Sequence, residues 1–348
     1  MVDKVRIGIA GMVNDHVWFM GDAFAELARV EMVSAADPNE ALRNRARSQW
    51  SLSNVYDDYR RMLEAERLDA IVVCSDNVTK VDVVEAAAAY GVHVCLDKPM
   101  SATLAQADRI IEIAEGAGIT VMVAYHPYFT DRYRKAREWI RTGMIGQPFL
   151  ARGMIGHAGP REVGLSPYFI EWLIDRERAG GGAFNDEAGY LIATFTDYFG
   201  PITEICAFME HMSWRDYLPD DMEDNSVAIV RFANGALGVI DSKWGQIGRM
   251  PFNQSFHGSE GTILSGFDSM RVYSKKAVAS PDLEGWIELP PVRRGSRAGD
   301  QAVHFLRAIT EGMPPEGSVS LAGARHVQEV LEAAYISAKE GRVVKLPL

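Results

Sequence analysis

The length, composition and charge of the chain indicate a folded globular protein of two domains. It has 348 residues, of which 47% are hydrophobic and 24% are charged, and these values are ordinary for soluble globular proteins. A single hydrophobic core usually stops growing at about 250–300 residues, so we expect two domains. The net charge of −11 argues against a nucleic-acid partner, because binding phosphates requires a basic surface.

The cysteines and the apolar segments exclude further classes of protein. The three cysteines, Cys74, Cys95 and Cys206, lie far apart in the sequence, so we expect reduced thiols and neither a disulfide framework nor a zinc cluster. No apolar run approaches the roughly 20 residues that cross a membrane, and the first residues have no signal-peptide pattern. We therefore expect a cytoplasmic protein that does not bind a membrane.

Residues 1–125 alternate between apolar runs and amphipathic segments. The predicted strands are residues 5–11, 30–36, 70–74, 92–96 and 119–125. The predicted helices are residues 18–27, 41–49, 57–65, 81–90 and 104–114. Strands that alternate with helices predict right-handed crossovers and a parallel sheet covered on both faces. The expected fold class is therefore α/β, with an N-terminal doubly wound parallel sheet of the Rossmann type.

Residues 126–348 have a different pattern, in which strands predominate. The predicted strands are residues 148–155, 202–211, 226–232, 236–242 and 254–257, and the predicted helices are residues 132–142, 301–311 and 323–339. The pair Asn234-Gly235 lies between two of these strands and indicates a hairpin. The pattern predicts a C-terminal α+β domain with a large, mainly antiparallel open sheet. The C-terminal helix is a candidate to pack back on the first domain.

The turn after the first predicted strand has only part of a dinucleotide-binding motif. That motif reads G-x-G-x-x-G, and in the frame that starts at Gly11 the other two glycines are replaced by Val13 and His16. Gly8 lies within the strand. The turn nevertheless opens a helix, whose N-terminus can face a pyrophosphate. A structural turn and a nucleotide loop fit equally well, and on the second interpretation Gly8, Gly11, Val13 and Asn14 are the cofactor-binding residues.

Asp37 ends the second predicted strand, where an acidic side chain can accept hydrogen bonds from both ribose hydroxyls of NAD. Its carboxylate would also repel the 2′-phosphate of NADP. Asp37 could instead be only a turn residue before Pro38. Arg43 and Arg45 lie nearby in the sequence, so NADP stays open as a second cofactor.

A recognisable segment lies at the end of the fourth predicted strand, residues 92–96. Residues 96–99, Leu-Asp-Lys-Pro, resemble the Glu-Lys-Pro segment of the Gfo/Idh/MocA family, and residues 75–77, Ser-Asp-Asn, are similar to that family's Thr-Pro-Asn turn. Residues 137–146 and 332–342 also look like family segments, so the resemblance covers essentially the whole chain. It implies that Lys98 is catalytic, that Ser75, Asn77, Asp97, Lys98 and Pro99 contact the cofactor, and that Pro99 is cis. Read alone, Lys98 is a lysine before a proline at the protein surface.

A second segment, residues 180–190, resembles the family's GGG-x-x-x-D-x-G-x-H motif. Asp186 stands at the family aspartate, and Tyr190 replaces the histidine that many members use as an acid or base. The resemblance implies that Asp186 orients Lys98 and the substrate and that Tyr190 handles the proton. Tyr190 could instead be a core residue of the helix that continues through Leu191 and Phe195.

Several departures from the family pattern fall around the expected pocket. Ala188 replaces a glycine and Ala193 a frequent aspartate, whereas Lys80 stands where histidine is common, Asp76 where proline is, and Tyr128 where arginine is frequent. These departures leave the substrate open and do not affect the expected fold.

Other side chains are candidates to contact the substrate. These are His126, Tyr128, His157 and Trp172, with Trp244 as a further surface on which a sugar ring could stack. We expect no metal site, because the histidines show no HxxxH or HxxE spacing.

The resemblance implies a function and an organisation. Residues 1–125 would form the NAD(P)-binding domain, and residues 126–348 the substrate-binding and oligomerisation domain. The expected activity is hydride transfer between the nicotinamide of NAD and a hydroxyl or carbonyl carbon of a sugar, polyol or derivative, in a homodimer or homotetramer. Two alternatives are an NAD-dependent lyase or hydrolase that oxidises its substrate transiently, and a non-catalytic NAD-binding regulator.

Overall fold

The computed structural model describes residues 4–212, 214–248, 250–266, 269–276, 285–289 and 297–348. The chain forms two compact units, which are described separately. Unit 1 comprises Met1–His126, Gly164–Gly181 and Ser296–Gln328, and unit 2 comprises Pro127–Val163, Gly182–Gly295 and Glu329–Leu348. Unit 1 thus includes two segments that follow residue 125, and the domain boundary expected there stays a prediction.

The N-terminal part of unit 1 contains six strands and five helices in alternation. The strands are β1 (Val5–Ala10), β2 (Val30–Ala36), β3 (Asn54–Tyr56), β4 (Ala70–Val73), β5 (His93–Asp97) and β6 (Val121–Ala124). The helices are α1 (His16–Ala25), α2 (Glu40–Gln49), α3 (Tyr59–Ala65), α4 (Lys80–Ala89) and α5 (Leu104–Ala117).

The six strands form one parallel sheet in the order β3-β2-β1-β4-β5-β6, which confirms the predicted doubly wound sheet. All four residues of β4 and of β6 are buried, as expected when helices cover both faces of a parallel sheet. The strand order reverses between β1 and β4. Ligands bind at the carboxyl ends of the strands beside such a switch point. The residues that follow β1, β4 and β5 are therefore candidates to bind a ligand.

The rest of the chain adds six helices and nine strands among the described residues. The helices are α6 (Asp131–Arg141), α7 (Pro167–Leu173), α8 (Arg176–Ala179), α9 (Gly189–Phe199), α10 (Arg297–Thr310) and α11 (Leu321–Glu340). The strands are β7 (Pro148–Gly156), β8 (Ile202–Glu210), β9 (Asn225–Phe232), β10 (Leu237–Lys243), β11 (Gln254–Gly258), β12 (Gly261–Ser265), β13 (Met270–Ser274), β14 (Ile287–Leu289) and β15 (Val344–Lys345).

These nine strands form the sheet of unit 2, in the order β14-β13-β12-β11-β7-β10-β9-β8-β15. Neighbouring strands are antiparallel except for the pair β7 and β10, so the predicted mainly antiparallel sheet is confirmed. Gly235 joins β9 to β10 with a φ of 86°, which suits the hairpin indicated by Asn234-Gly235.

Helix α9 packs on one face of this sheet. A Cβ atom on Gly153 of β7 would lie 2.7 Å from Leu191 Cδ2 and 2.8 Å from Phe195 Cζ, so glycine allows the helix to approach the strand closely. The other face exposes apolar side chains, among them Phe208 and Ile229.

The later segments of unit 1 complete its helical layer. Helix α10 packs on α1, where the rings of Phe24 and Phe305 meet edge to face with centroids 6.0 Å apart. None of the helices in the described parts of the chain combines the length and the apolar character needed to cross a membrane.

Candidate functional site

A cleft of about 340 Å³ lies in unit 1 beside the switch point of the sheet. Its lining includes Gly11 after β1, Asp37 after β2, Ser75 and Asp76 after β4, and Arg178 of α8. The structure therefore brings together, at the carboxyl ends of the strands, the turn and the acidic residue that the sequence assigned to a dinucleotide.

Gly11 is the only glycine of the motif that is present in this turn, and the turn requires a glycine at this position. Its φ is 79°, and a Cβ atom there would lie 2.7 Å from the Cβ of Ser75. Val13 also lines the cleft. Gly8 has a different role from the predicted one, because a Cβ atom at Gly8 would lie 2.8 Å from Leu68 Cδ1. It is a packing glycine within β1 and does not line the cleft.

Asp37 is buried and held by the backbone. Its carboxylate accepts hydrogen bonds from Met12 N at 2.6 Å and from Asn39 N at 2.8 Å. Burial raises the pKa of Asp37, although these backbone hydrogen bonds and the charge of Arg43 act in the opposite direction. The carboxylate faces a nucleotide-sized cleft, which fits the ribose-binding role better than a turn residue alone.

Arg43 and Arg45, whose presence in the sequence kept NADP as a second possible cofactor, both contact other groups of the protein. Arg43 Nη1 donates to the backbone oxygens of Asp37 at 2.8 Å and of Pro38 at 2.7 Å. The guanidinium of Arg45 stacks on the Trp18 ring, 3.6 Å from its centroid. Neither Arg43 nor Arg45 lines the cleft, so neither is placed to bind a 2′-phosphate there.

Lys98 follows β5 and is 3% exposed. The Lys98–Pro99 peptide bond is cis, as the resemblance implied. Burial raises the pKa of Tyr125, and the positive charge of Lys98 opposes that rise. Lys98 is therefore a buried lysine at a strand end and not a surface residue.

Lys80 holds the backbone on both sides of Lys98, a role that the sequence did not reveal. Its ammonium is fully buried and donates to Asn77 Oδ1 at 2.9 Å, Asp97 O at 2.8 Å and Pro99 O at 2.6 Å. Burial lowers the pKa of Lys80 to about 8. The only sign of this role in the sequence was that Lys80 stands where histidine is common in the family that the chain resembles.

Asn77 serves this arrangement through its side chain. Its Oδ1 accepts from Lys80, and its Nδ2 donates to Ala179 O at 2.8 Å. Both ends of the amide therefore bind protein groups. Asn77 thus holds the loop after β4, and its contact with the cofactor stays a prediction.

Asp97 lies in a polar cluster at the end of β5. Its carboxylate accepts from Asn14 Nδ2 at 2.8 Å and lies 3.1 Å from His16 Nδ1 and 3.6 Å from His126 Nε2. Burial by itself would raise the pKa of Asp97, but the charge of His16 and the hydrogen bonds from both histidines hold it well below its usual range. His126 Nδ1 lies 2.7 Å from Gln301 Oε1.

Unit 2 contains the second segment from Gly182 onward. Asp186 lies in a π-helical turn, Phe184–Ala188, directly before α9, and its Oδ2 accepts from Trp244 Nε1 at 3.2 Å. His157 Nε2 is 3.4 Å from Glu187 Oε1 and 4.0 Å from Asp186 Oδ2. The sequence did not single out Glu187, whose place beside His157 depends on the pairing of distant elements.

His157 also lines a cavity of about 320 Å³ in unit 2, together with Gln246 and Asn253. Tyr190, in the first turn of α9, is half-buried, whereas Leu191 and Phe195 are fully buried. Tyr190 is therefore not a fully buried core residue, and its role in proton transfer stays a prediction.

The glycines before Asp186 have a structural reason. Any Cβ atom on Gly182 would collide with the backbone oxygen of Glu223. The buried Glu223 carboxylate accepts from Gly182 N and Phe184 N, each at 3.1 Å, and from the Tyr335 hydroxyl at 2.7 Å. Burial raises the pKa of Glu223. Glu223 was missed in the sequence because no local pattern marks it.

Two predicted stacking residues are core residues in the structure. Trp172 is 2% exposed, stacks on Phe169 and donates from Nε1 to Val13 O at 3.4 Å. Trp244 is fully buried. Neither offers a ring face to a sugar, so their predicted contact with substrate is corrected to packing. Tyr128 is half-buried in unit 2, with the Arg137 guanidinium 5.7 Å from its ring.

Comparisons with known proteins agree with this arrangement. Residues 5–125 match the family model described as "Oxidoreductase family, NAD-binding Rossmann fold", and residues 133–264 match the "GFO/IDH/MocA C-terminal domain". Between them the two models span most of the chain.

Similar proteins include sugar and polyol dehydrogenases. Myo-inositol 2-dehydrogenase of Thermotoga maritima is 25% identical over 98% of this chain and 98% of that protein. Levoglucosan dehydrogenase of Pseudarthrobacter phenanthrenivorans is 25% identical over 90% of this chain and 88% of that protein. The solved structure of a levoglucosan dehydrogenase in complex with NADH superposes with a TM-score of 0.87 at 23% identity and covers 99% of this chain and 100% of that chain.

The fold and the family inferred from the sequence are therefore confirmed. The relatives are named dehydrogenases and reductases, which does not favour a transient lyase or a non-catalytic regulator. The chain belongs to the Gfo/Idh/MocA family of NAD-dependent oxidoreductases.

Proposed function

We propose that the protein transfers a hydride between NAD and a hydroxyl or carbonyl carbon of a sugar, polyol or sugar derivative. The observation that carries the proposal is Lys98, a buried lysine at the carboxyl end of β5 whose flanking carbonyls are both held by Lys80. The nucleotide cleft with Asp37 belongs to the same unit.

The residues of unit 1 support cofactor binding and charge stabilisation. Bound NAD supplies a nicotinamide ring that accepts or returns the hydride. Asp37 binds the ribose hydroxyls, and Gly11 allows the backbone to approach the pyrophosphate. Lys98 donates a hydrogen bond to the reacting oxygen of the substrate and stabilises the negative charge that develops there.

The residues of unit 2 support proton transfer and recognition of hydroxyl groups. Tyr190 donates a proton to the carbonyl oxygen during reduction, and in the direction of oxidation it takes the hydroxyl proton as the phenolate, after losing its own proton. Asp186 orients the reacting groups. The lining of the cavity beside His157 includes Gln246 and Asn253. Their amide oxygens can accept hydrogen bonds from the hydroxyl groups of a sugar or polyol.

The decisive test replaces Lys98 by methionine, which keeps the length of the side chain and removes its charge. We expect Lys98→Met to lose turnover by about 100-fold or more, because one stabilising donor is worth roughly that factor, while NAD still binds. Substrates would be screened as a panel of polyols and sugars that includes myo-inositol and levoglucosan, with NADH absorbance as the signal.

Lys135→Met is the matched control, because Lys135 is exposed on α6 and pairs with Glu138. Full turnover in Lys98→Met would end the catalytic assignment. Release of product without net NADH by the unaltered protein would instead favour transient oxidation.

The proposal includes a homo-oligomer, in which a second copy covers the exposed face of the sheet in unit 2. Phe208 and Ile229 on this face are 74% and 54% exposed. Val227, which pairs with Phe208 across β8 and β9, is also exposed. Large exposed apolar patches mark interaction sites, and a homodimer or homotetramer would bury this one.

A cytoplasmic location is part of the same proposal. All three cysteines are free thiols, and Cys74 and Cys95 are buried, which is typical of a reducing compartment. Fractionation of cells against cytoplasmic and exported marker proteins checks this location.

A further inference from the structure

The nucleotide cleft of unit 1 is rich in carboxylates, although the dinucleotide that it would hold is itself an anion. Four aspartates line it, Asp37, Asp57, Asp58 and Asp76. The cations among the described residues of the lining are Arg60 and Arg178. Because like charges repel at short range, a pyrophosphate in this cleft needs a cation beside it.

The turn before α1 offers little of the usual compensation. Backbone N–H groups at a helix N-terminus commonly hold such a phosphate. Here the N–H groups of Gly11, Met12 and Asn14 already donate to protein oxygens, at 2.9, 2.6 and 3.1 Å respectively. Asp15 also places a carboxylate at the N-terminus of α1, where it accepts from Ser166 N at 2.7 Å. Protein groups therefore take much of the positive potential that this helix end provides.

Arg178 of α8 is fixed at the cleft by contacts within unit 1. Its Nε donates to Asp76 Oδ2 at 2.8 Å, and its carbonyl oxygen accepts from Val78 N at 3.1 Å. The carbonyl oxygen of Ala179 accepts from Asn77 Nδ2 at 2.8 Å. The side chains of Arg178 and Asp76 are 33% and 9% exposed. The guanidinium is thus held against the loop after β4 in a partly buried position.

That loop touches the turn that the pyrophosphate approaches. Asp76 follows Ser75, and a Cβ atom on Gly11 would lie 2.7 Å from the Cβ of Ser75. Glycine at this position allows the backbone to come close to the pyrophosphate. The anchor of Arg178 therefore lies one residue from a direct contact with the phosphate-binding turn.

The guanidinium has donors besides the one that Asp76 accepts from. Arginine carries a planar fork of N–H groups, and such a fork can bind two oxygens of one phosphate. Arg178 Nη1 lies 3.6 Å from Glu171, whose side chain is 76% exposed. An exposed pair of this kind contributes little energy, so a phosphate can replace it.

Arg60, the other cation of the lining, is less suited to this role. Its side chain is 59% exposed and lies 3.9 Å from Asp58 Oδ1, and its Cζ is 4.6 Å from the centroid of the Tyr59 ring. An exposed side chain loses more conformational freedom when it binds a ligand than one that the protein already holds.

We propose that Arg178 binds the pyrophosphate of NAD and supplies the positive charge that the turn before α1 lacks. Val13 and His16 stand where the dinucleotide-binding motif has glycine, and the side chain of Arg178 compensates for the weakened backbone site. Asp76 is the positioning residue for the guanidinium. This role rests on the binding of NAD in the cleft, which is part of the proposed function.

The test compares ligands that share adenosine and differ in their phosphates. The full-length chain, freed of bound nucleotide, is titrated with NAD, ADP-ribose and adenosine by calorimetry, with adenosine as a competitor where its binding is weak. In Arg178→Gln we expect the affinities for NAD and ADP-ribose to fall by about tenfold or more, the worth of a hydrogen bond to a charged group. The affinity for adenosine should change little. Arg178→Lys keeps the charge without the fork and should fall between.

Arg176→Gln is the matched control, because Arg176 is exposed on the same helix and does not line the cleft. All three affinities should stay unchanged in this variant. Added salt screens charge pairs, so it should weaken ADP-ribose binding less in Arg178→Gln than in the unaltered protein. Circular dichroism verifies that each variant is folded.

Three results would overturn the proposal. Equal losses for ADP-ribose and adenosine in Arg178→Gln would show that Arg178 only supports the cleft. An unchanged affinity for ADP-ribose would show that it does not bind the pyrophosphate. A loss confined to NADP would place Arg178 at a 2′-phosphate instead. Failure of the unaltered protein to bind NAD is a different outcome, because it would refute the cofactor site itself.

Discussion

Lys80 is a positioning residue for Lys98, because it binds the carbonyl oxygens on both sides of it. In Lys80→Met we expect turnover to fall by about tenfold while the affinity for NAD changes little, since Lys80 does not line the nucleotide cleft. A loss of about 1.4 kcal/mol in transition-state stabilisation corresponds to that factor. Separate measurement of kcat, KM and NAD affinity checks this, and a change confined to NAD affinity would contradict it.

Because Lys80 is buried, we expect turnover to depend on pH. Burial lowers the pKa of Lys80 to about 8, from a usual value of 10.5, so turnover should fall as the pH rises through about 8 and the ammonium loses a donor. The unfolded chain keeps this proton up to about pH 10.5, so between these values the group makes the free energy of unfolding rise with pH. The activity loss is therefore not unfolding caused by this group.

Lys80→Arg separates the two effects, since a guanidinium stays charged throughout this range. The fall in turnover near pH 8 should then disappear, whatever the absolute rate. Persistence of the same fall in Lys80→Arg would show that another group causes it.

The proposed role of Asp37 is to bind the ribose hydroxyls of NAD and to exclude the 2′-phosphate of NADP. In Asp37→Ala we expect NAD affinity to fall by about tenfold or more, because hydrogen bonds to a charged group are worth roughly 1.5–3 kcal/mol. Discrimination against NADP should also relax. Titration with both nucleotides, monitored by protein fluorescence, checks this. Asp57→Ala is the matched control, because Asp57 lines the same cleft but pairs with Arg61; equal effects in both variants would remove Asp37 from the ribose site.

At the scale of elements, the turn before α9 depends on one buried carboxylate. Glu223 accepts from two backbone N–H groups and from Tyr335, and in Glu223→Gln an amide NH₂ must face a donor. We expect the free energy of unfolding to fall by about 1–3 kcal/mol, the cost of an unsatisfied buried donor. Denaturant unfolding measures the change. Tyr335→Phe removes the hydroxyl that donates to Glu223 and accepts from Asn185 N at 3.2 Å, so it should lower the free energy of unfolding by a similar amount. An unchanged free energy of unfolding in Glu223→Gln would contradict the assignment.

The elements of the parallel sheet were predictable because their signals are local. Val30–Ala36 was predicted with the observed bounds, and α5 ends at Gly118 with a φ of 67°, the conformation for which a glycine after a helix is selected. Strand β3 was missed because its three residues are exposed or half-buried and have no apolar run. Strands β12–β15 were also missed, because pairing with neighbouring strands defines them.

At the scale of the whole molecule, the exposed face of the nine-stranded sheet carries the prediction of self-association. We expect the unaltered protein to sediment as a dimer or tetramer at micromolar concentration. Ile229→Lys, on this face beside Val239 of β10, should shift it to monomer without loss of helix or strand content. Analytical ultracentrifugation with circular dichroism measures both. Ile247→Lys is the control, because Ile247 is 80% exposed and follows β10. A monomer before any substitution would refute the assembly.

Local patterns in the sequence were enough to predict the fold class and the family. They also marked Asp37, Lys98, Asp186 and Tyr190 as candidate site residues. Hydrophobic periodicity, turn residues and short motifs are properties of neighbouring residues, so they can be read without the fold. The packing roles of Gly8 and Trp172 could not be read in this way, because their neighbours lie elsewhere in the chain.

Which polar groups face each other could be read only from the folded chain. Lys80 meets the carbonyl oxygens of Asp97 and Pro99, and His16 and His126 meet at Asp97. These groups come from different helices, strands and loops, and a buried charge or lone pair is stable only when the fold supplies its partner. The partner is a matter of distance in space, which spacing along the chain does not encode.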